Sequence, residues 1–364
     1  MTETTFLRRP RLPVFVAAAV ALFMVTGAAR ADADPCQALA GETIRWIVPF
    51  GAGGGFDFYS RILEPYLEAR LGAEIVIANV PGVGGKVGAK QLRNAKPDGR
   101  TLGLLHGTNL AISELFGDGD SPRMPEDFTL LGRIGRTADV WIVRADSPLR
   151  TLDDLFARDP GDPIVMAVPA IATKHWLTAV IAREMLGFEA DFVIGYKGTK
   201  DRVLGLLRGE FEMMGAGASS VLPQVDAGEL RVLAMIGQSA VGLEPGFRDV
   251  PRLSGPDGVA ARRARALGRD PEVARSHADA LDGTMAAGRL VTAPPGMDPG
   301  LASCLEARIF EAMTDPDFAA AMAKAKRPIE PIKGTKAAES IHDAKREAAT
   351  FVPIVREQLE KAGQ

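Results

Sequence analysis

Ile44-Arg45-Trp46-Ile47-Val48-Pro49-Phe50-Gly51-Ala52-Gly53-Gly54-Gly55-Phe56-Asp57 is the stretch on which the reading of the whole chain turns. An apolar run ends at Pro49-Phe50, crosses a glycine cluster and opens a helical pattern from Phe58 to Leu71. Strand, glycine turn and helix in that order leave unpaired backbone N–H groups at the positive end of a helix dipole. Glycine lets the backbone come close, so the arrangement suits an anionic group. A dinucleotide fingerprint counted from Gly51 needs glycine at position 56, where Phe56 stands. A phosphate loop ending at Gly85-Lys86 needs glycine at 80 and a hydroxyl at 87, and the chain has Val80 and Val87. The stretch therefore predicts a grip on a carboxylate, with a plain tight turn as the competing structural reading.

Upstream, Arg8, Arg9 and Arg11 precede an apolar run over 12–29, and Ala29-Arg30-Ala31 is a small-x-small cleavage site. Residues 1–31 read as a secretory leader cleaved after Ala31, which places the mature protein in the periplasm. A membrane anchor is the alternative, opposed by Pro13 and the cleavable end. No later segment approaches the roughly 20 apolar residues that span a bilayer. Loss of four arginines and Glu3 takes the formal net charge from −3 to −6, leaving 333 of the 364 residues. A mildly acidic chain lacks the basic surface that nucleic acid requires. Its length fits two α/β domains. The only cysteines, Cys36 and Cys304, either pair as a disulfide in an oxidising compartment or stay as two free thiols. Neither has the spacing of a metal site.

Downstream the pattern alternates. Strands are expected over 73–78 and 101–105 with a helix over 86–94, giving β-α-β-α-β and a parallel sheet with helices on its faces. His106-Gly107-Thr108-Asn109 follows the third strand, where such a sheet exposes its ligand crevice, so Thr108 and Asn109 are candidate contacts. The apolar stretch 128–143 crosses to a second lobe. There the alternation restarts, with strands at 163–168, 192–194, 211–214 and 230–236 and helices at 151–157, 173–186, 199–208 and 222–227. Lobe 1 is assigned residues 42–139 with 239–364, and lobe 2 residues 140–238. Residues 254–284 carry Arg262, Arg263, Arg265, Arg269 and Arg275 among alanines and read as one or two exposed helices with a solvated basic face. A single long helix is expected from about Thr335 to Ala362, packing on the first lobe.

A series of motifs now falls in one order: Ile47-Val48-Pro49-Phe50 with Gly53-Gly54-Gly55-Phe56-Asp57, then Asn79-Val80-Pro81-Gly82-Val83-Gly84-Gly85 and Pro97-Asp98-Gly99-Arg100. Tyr196-Lys197-Gly198, Ala227-Gly228-Glu229-Leu230, Asp249-Val250-Pro251 and Ala293-Pro294-Pro295-Gly296 complete it. The ordered set resembles the extracytoplasmic substrate-binding proteins of tripartite tricarboxylate transporters, the Bug family. The resemblance implies an α/β, two-lobed periplasmic-binding-protein fold of type II, each lobe a sheet flanked by helices and hinged around a central cleft. It also implies capture of a small organic acid without a cofactor, by a monomer that delivers it to membrane permease subunits. One ligand carboxylate is then expected at two strand–turn–helix loops, one from each lobe. The first supplies Phe50, Gly53, Gly54, Gly55 and Asp57, and the second Ala170, Ala172, Thr173, Lys174 and His175.

The second loop departs from the family pattern. Thr173 is its only hydroxyl, serving either the ligand or the N-cap of the next helix. Lys174 either meets a carboxylate directly or is a solvated first-turn lysine. His106 and His175 fall on the cleft loops, Tyr196-Lys197 is a candidate wall, and the turn Gly215-Ala216-Gly217 leaves room for a bulkier acid, with Gly217 at the site. Asp57 is better placed to support its turn than to act as a base. Gly217-Ala218-Ser219-Ser220-Val221 fails the nucleophile elbow, and H-E-x-x-H and C-x-x-C are missing. A binder is thus favoured over a secreted enzyme acting on an anion, with a receptor presenting its ligand to a sensor as the remaining alternative.

Overall fold

The computed structural model describes residues 1–3, 34–117, 119–237 and 246–361, so the leader reading lies outside them. Ten strands run in chain order: β1 (Thr43–Val48), β2 (Glu74–Asn79), β3 (Thr101–His106), β4 (Thr129–Gly135), β5 (Asp139–Arg144), β6 (Ile164–Ala167), β7 (Ala190–Val193), β8 (Met213–Gly217), β9 (Leu230–Ile236) and β10 (Arg289–Ala293). They form two five-stranded sheets, β2-β1-β3-β10-β4 and β7-β6-β8-β5-β9. Each has three parallel strands followed by one antiparallel strand, β10 in the first and β5 in the second. Residues 136–138 join β4 of one sheet to β5 of the other, and the chain returns between β9 and β10. This is the two-lobed α/β architecture of periplasmic binding proteins.

The apolar character of β1 follows from its place. Ile44, Trp46, Ile47 and Val48 are buried because helices cover both faces of a parallel sheet. Helix α1 (Gly55–Leu71) begins inside the glycine cluster, three residues before the expected start. It buries Phe56, Tyr59, Leu63 and Leu67, a 3-4-4 spacing that makes one helical stripe. The Trp46 Nε1–H donates to Ser60 Oγ at 3.0 Å and ties α1 to β1.

Other elements depart from expectation. Residues 107–116 form helix α3 (Gly107–Phe116) where a crevice loop was expected, because His106 Nδ1 accepts the Asn109 N–H and Leu110-Ala111-Ile112 find a core. Strand β10 was not foreseen. The C-terminal helix is two, α12 (Gly334–Ala349) and α13 (Val352–Lys361), since Pro353 cannot extend α12 through the hydrogen-bond ladder. Residues 254–284 hold helices α8 (Val259–Ala266) and α9 (Pro271–Thr284). Ala260, Ala264, Ala274, Ala278 and Ala280 are buried with Trp176, Val180 and Ile181, and with Ala348 and Phe351. Arg262, Arg265 and Arg269 remain exposed.

Cys36 and Cys304 are bonded at 2.04 Å, joining the first described turn to helix α10 (Pro299–Met313) across 268 residues of sequence. A cross-link over so long a loop restricts the unfolded chain strongly. Replacing both cysteines by serine is expected to cost about 2–4 kcal/mol, read from the urea midpoint. An unchanged midpoint would show that the cross-link does not stabilise the fold.

Candidate ligand site

Six loops from the two sheets converge on a cavity of about 250 Å³. Residues 50–52 and 54–56 follow β1, 82–85 follow β2, and His106 and Asn109 lie at and just beyond the end of β3. From the other sheet come Pro169 with Lys174 and His175 after β6, 196–202 after β7, and Gly217 with Ser220 after β8. Every parallel strand thus points its carboxyl end at the cavity, as open α/β sheets place their ligands.

The lobes touch here. A Cβ on Gly55, at the start of α1, would lie 2.3 Å from Ser220 Oγ of helix α7 (Ala218–Asp226). Gly84 has φ 63°, and a Cβ there would lie 2.3 Å from Thr173 Cγ2. The most specific bridge is Asn109. Its amide nitrogen donates to Gly84 O at 2.8 Å, and its Oδ1 accepts the backbone N–H of Lys174 at 3.1 Å. Helix α5 (Lys174–Leu186) is therefore capped by a side chain from the other lobe. Thr173 holds the N-cap position, but its hydroxyl donates to Ala170 O at 2.7 Å, so it neither caps through its side chain nor lines the cavity.

Lys174 is not the solvated first-turn lysine of the alternative reading. It is buried, and its Nζ is paired with Asp139 Oδ1 at 2.5 Å. Asp139 is the first residue of β5, directly after the crossing, and is buried as well. Burial alone would raise its carboxyl, but the charge and hydrogen bond of Lys174, with the His175 ring beside it, outweigh that and hold it well below the carboxylate range. Burial lowers Lys174, against the pull of Asp139. His175 Nε2 stands 3.1 Å from Asp139 Oδ2 without hydrogen-bond alignment, so both ring nitrogens are buried and unpaired. Burial pushes this imidazole down to about 4. His106 is likewise held well below its usual value by burial, with Lys174 adding repulsion.

Two arginines complete the inner wall. Arg202, in helix α6 (Thr199–Leu207), is 1% exposed and donates from one terminal nitrogen to Gly215 O at 2.7 Å and Ala167 O at 3.5 Å. Arg289, the first residue of β10, is 4% exposed and donates to Arg136 O at 3.2 Å. Its guanidinium carbon sits 4.1 Å from the Tyr59 ring centre. Among the described residues neither guanidinium has a carboxylate within 4 Å, and Nε of each is buried without a partner. Burial brings Arg202 down to about 10, with Asp139 opposing, which still leaves it charged at neutral pH. Phe50, Phe56 and His106 form the apolar side, Phe56 at 4.8 Å from Phe50 and 5.0 Å from His106 between ring centres.

Of the residues expected at the site, Phe50, Gly54, Gly55, Asn109, Lys174, His175, Tyr196 and Gly217 line this cavity. Gly53 faces a neighbouring hollow, its N–H donating to Asp57 Oδ2 at 2.8 Å. Asp57 also accepts from Arg61 and Asn79, which fixes the glycine turn from behind. Thr108, Ala170 and Ala172 stand behind the lining, and Tyr196 gives its hydroxyl to Glu210. Arg202, Arg289, Thr137, Ser220 and Lys200 were missed. The run Leu290-Val291-Thr292-Ala293 before Pro294 is the signal of a strand, and it would have brought Arg289 to a strand end.

Fold and cavity together define a two-lobed solute-binding protein. Residues 60–255 match the model of the tripartite tricarboxylate transporter family receptor, and this chain belongs to that family. Among curated relatives, protein BugT of Bordetella pertussis is 27% identical over 267 residues, covering 70% of this chain and 80% of its own. A protein encoded in the tcbD-tcbE intergenic region of Pseudomonas sp. strain P51 is 27% identical over 245 residues, covering 66% and 70%. Among solved structures, the periplasmic binding protein BugD has a TM-score of 0.66 at 22% identity, covering 88% of this chain and 98% of its own. MatC from Rhodopseudomonas palustris with bound malate scores 0.67 at 18%, covering 86% and 99%. An R. palustris protein with adipate scores 0.68 at 19%, covering 86% and 96%.

Two outcomes test the buried cluster. Asp139→Asn leaves the Lys174 ammonium buried without its counter-charge and is expected to cost about 3–5 kcal/mol in denaturant unfolding. A smaller loss would mean that Lys174 is solvated. In the pH dependence, His175 binds its proton more weakly folded than unfolded. Its contribution to stability is therefore complete above pH about 6.5 and declines as pH falls toward 4. The melting temperature is expected to drop over that window, with His175→Gln flattening the slope; an equal slope in the variant would contradict the burial.

Proposed function

We propose that this protein is an extracytoplasmic receptor that captures a small organic acid between its lobes and delivers it to a tripartite membrane transporter. Export by the 1–31 leader to the periplasm belongs to the same reading, as do lobes 42–139 with 239–364 and 140–238 and action as a monomer. The observation that carries it is the charge of the cavity wall. With Lys174 neutralised by Asp139, Lys197, Lys200, Arg202 and Arg289 line it against the single carboxylate of Asp201. Such a wall focuses a positive potential on a small enclosed volume. The start of α1 adds backbone N–H groups and a favourable dipole. Family membership and the malate- and adipate-bound relatives support an acid as the ligand. Among the described residues no helix is long and apolar enough to cross a membrane.

The test is a thermal-shift and calorimetric panel of small mono- and dicarboxylates on the protein beginning at Asp32, after denaturing and refolding to strip carried-over ligand. A cognate acid at about 100 times its Kd is expected to add about 2.7 kcal/mol of stability, with one-to-one binding and no product formed. Binding that shows turnover would make the protein an enzyme. No binding by any acid to folded protein would remove the carboxylate reading.

A further inference from the structure

Arg202 and Arg289 approach the same cavity from opposite lobes, one on α6 of the second and one on β10 of the first. A buried guanidinium without a counter-charge is costly, and protein interiors normally pair it with a carboxylate. Asp139, the buried acid nearest this wall, is already committed to Lys174. Arg202 makes both its hydrogen bonds from one terminal nitrogen, and Arg289 makes its one hydrogen bond the same way. In both, Nε stays unpaired although buried. Two positive charges, one per lobe, therefore face the cavity with donors to spare.

Acceptors are scarce in comparison. Asp201 is the single carboxylate in the lining, Asn109 spends its Oδ1 on the Lys174 N–H, and Asp139 lies behind Lys174 outside the lining. Phe50, Phe56 and His106 add ring surface to the same lining. A ligand carrying an ammonium group would add a further cation to a wall where Lys197, Lys200, Arg202 and Arg289 already outnumber the one carboxylate.

Building on the anion-receptor reading above, we infer that Arg202 and Arg289 are the specificity-determining residues of this cleft. The ligand they select is a dianion with two carboxylates, one for each guanidinium, joined by a hydrocarbon spacer without an amino group. Charge number then governs recognition, because a monoanion leaves one lobe's arginine uncompensated. Each guanidinium can take a carboxylate in the forked, bidentate manner that an ammonium cannot reproduce.

Calorimetry of the mature protein with succinate, glutarate, adipate and phthalate, each beside its half-amide, tests this without any mutation. At least one diacid is expected to bind about thirtyfold or more tightly than its half-amide, the scale of one uncompensated buried charge. Glutamate is expected to bind more weakly than glutarate. Arg289→Gln and Arg202→Gln should each shrink the diacid preference toward unity, while Arg289→Lys retains part of it. Circular dichroism confirms that each variant is folded, and the wild-type ratio stands if one is not. Equal affinity for diacid and half-amide, or a ratio unchanged by both glutamine substitutions, overturns the inference and leaves the anion receptor intact. No binding by any member, together with none by simple monocarboxylates, overturns both.

Discussion

The buried ion pair between Asp139 and Lys174 is the constraint around which the cleft is built. Asp139 is where the chain first enters the second sheet, and Lys174 opens the helix that follows β6. Their contact fixes the crossing segment against the start of α5, a helix whose first N–H is capped by Asn109 of the other lobe. Removing two ions from water costs several kcal/mol, so such a pair is weak evidence of stability by itself. Its value here lies in position. It neutralises the one cation that the second loop places at the helix start, where a positive charge opposes the dipole. The remaining positive potential of the inner wall is left to the arginines.

The two carboxylate-gripping devices expected of this family are therefore unequal in this chain. The first is the start of α1, whose glycines bring backbone N–H groups to the cavity and whose turn Asp57 holds from behind. The second loop offers no free hydroxyl, since Thr173 is spent on Ala170 O, and its lysine is spent on Asp139. Side-chain guanidinium groups reach the cavity from α6 and β10 instead. Replacing backbone dipoles by full charges makes the site deeper in potential and more discriminating by charge.

Much of this was legible in the sequence. The β-α-β alternation, the crossing near 128–143 and the glycine loop are local patterns, and local patterns survive translation into structure. Asn109 and His175 were expected near the cavity because each follows an apolar run read as a strand, and both line it from the first turns of α3 and α5. Arg289 was not, because its strand is isolated from any alternating helix and pairs antiparallel between β3 and β4, far away in sequence. Arg202 was hidden differently: in the sequence it is one charge among Lys197, Lys200 and Asp201, and nothing local distinguishes the buried one from the solvated ones. Whether Lys174 was a ligand contact or a solvated lysine could not be decided from its neighbours, since its partner lies 35 positions earlier. Burial and pairing of charges are long-range facts.

The sheet order has a consequence for how the molecule is made. All five strands of the second sheet lie in one uninterrupted stretch, 139–236, whereas the first sheet is complete only with β10, taken from residues 289–293. As the chain emerges from its N-terminal end, β4 has no neighbour in its own sheet until more than 150 residues later. The second sheet can pair from sequence-local contacts, its α5 face being covered later by α8 and α9, while the first keeps an open sheet edge, the kind of edge that invites wrong pairing. The strand that closes this edge is also the one that brings Arg289 to the cavity. Completing the first lobe and charging the binding site are thus a single event, so a half-assembled chain has neither a finished sheet nor a finished receptor.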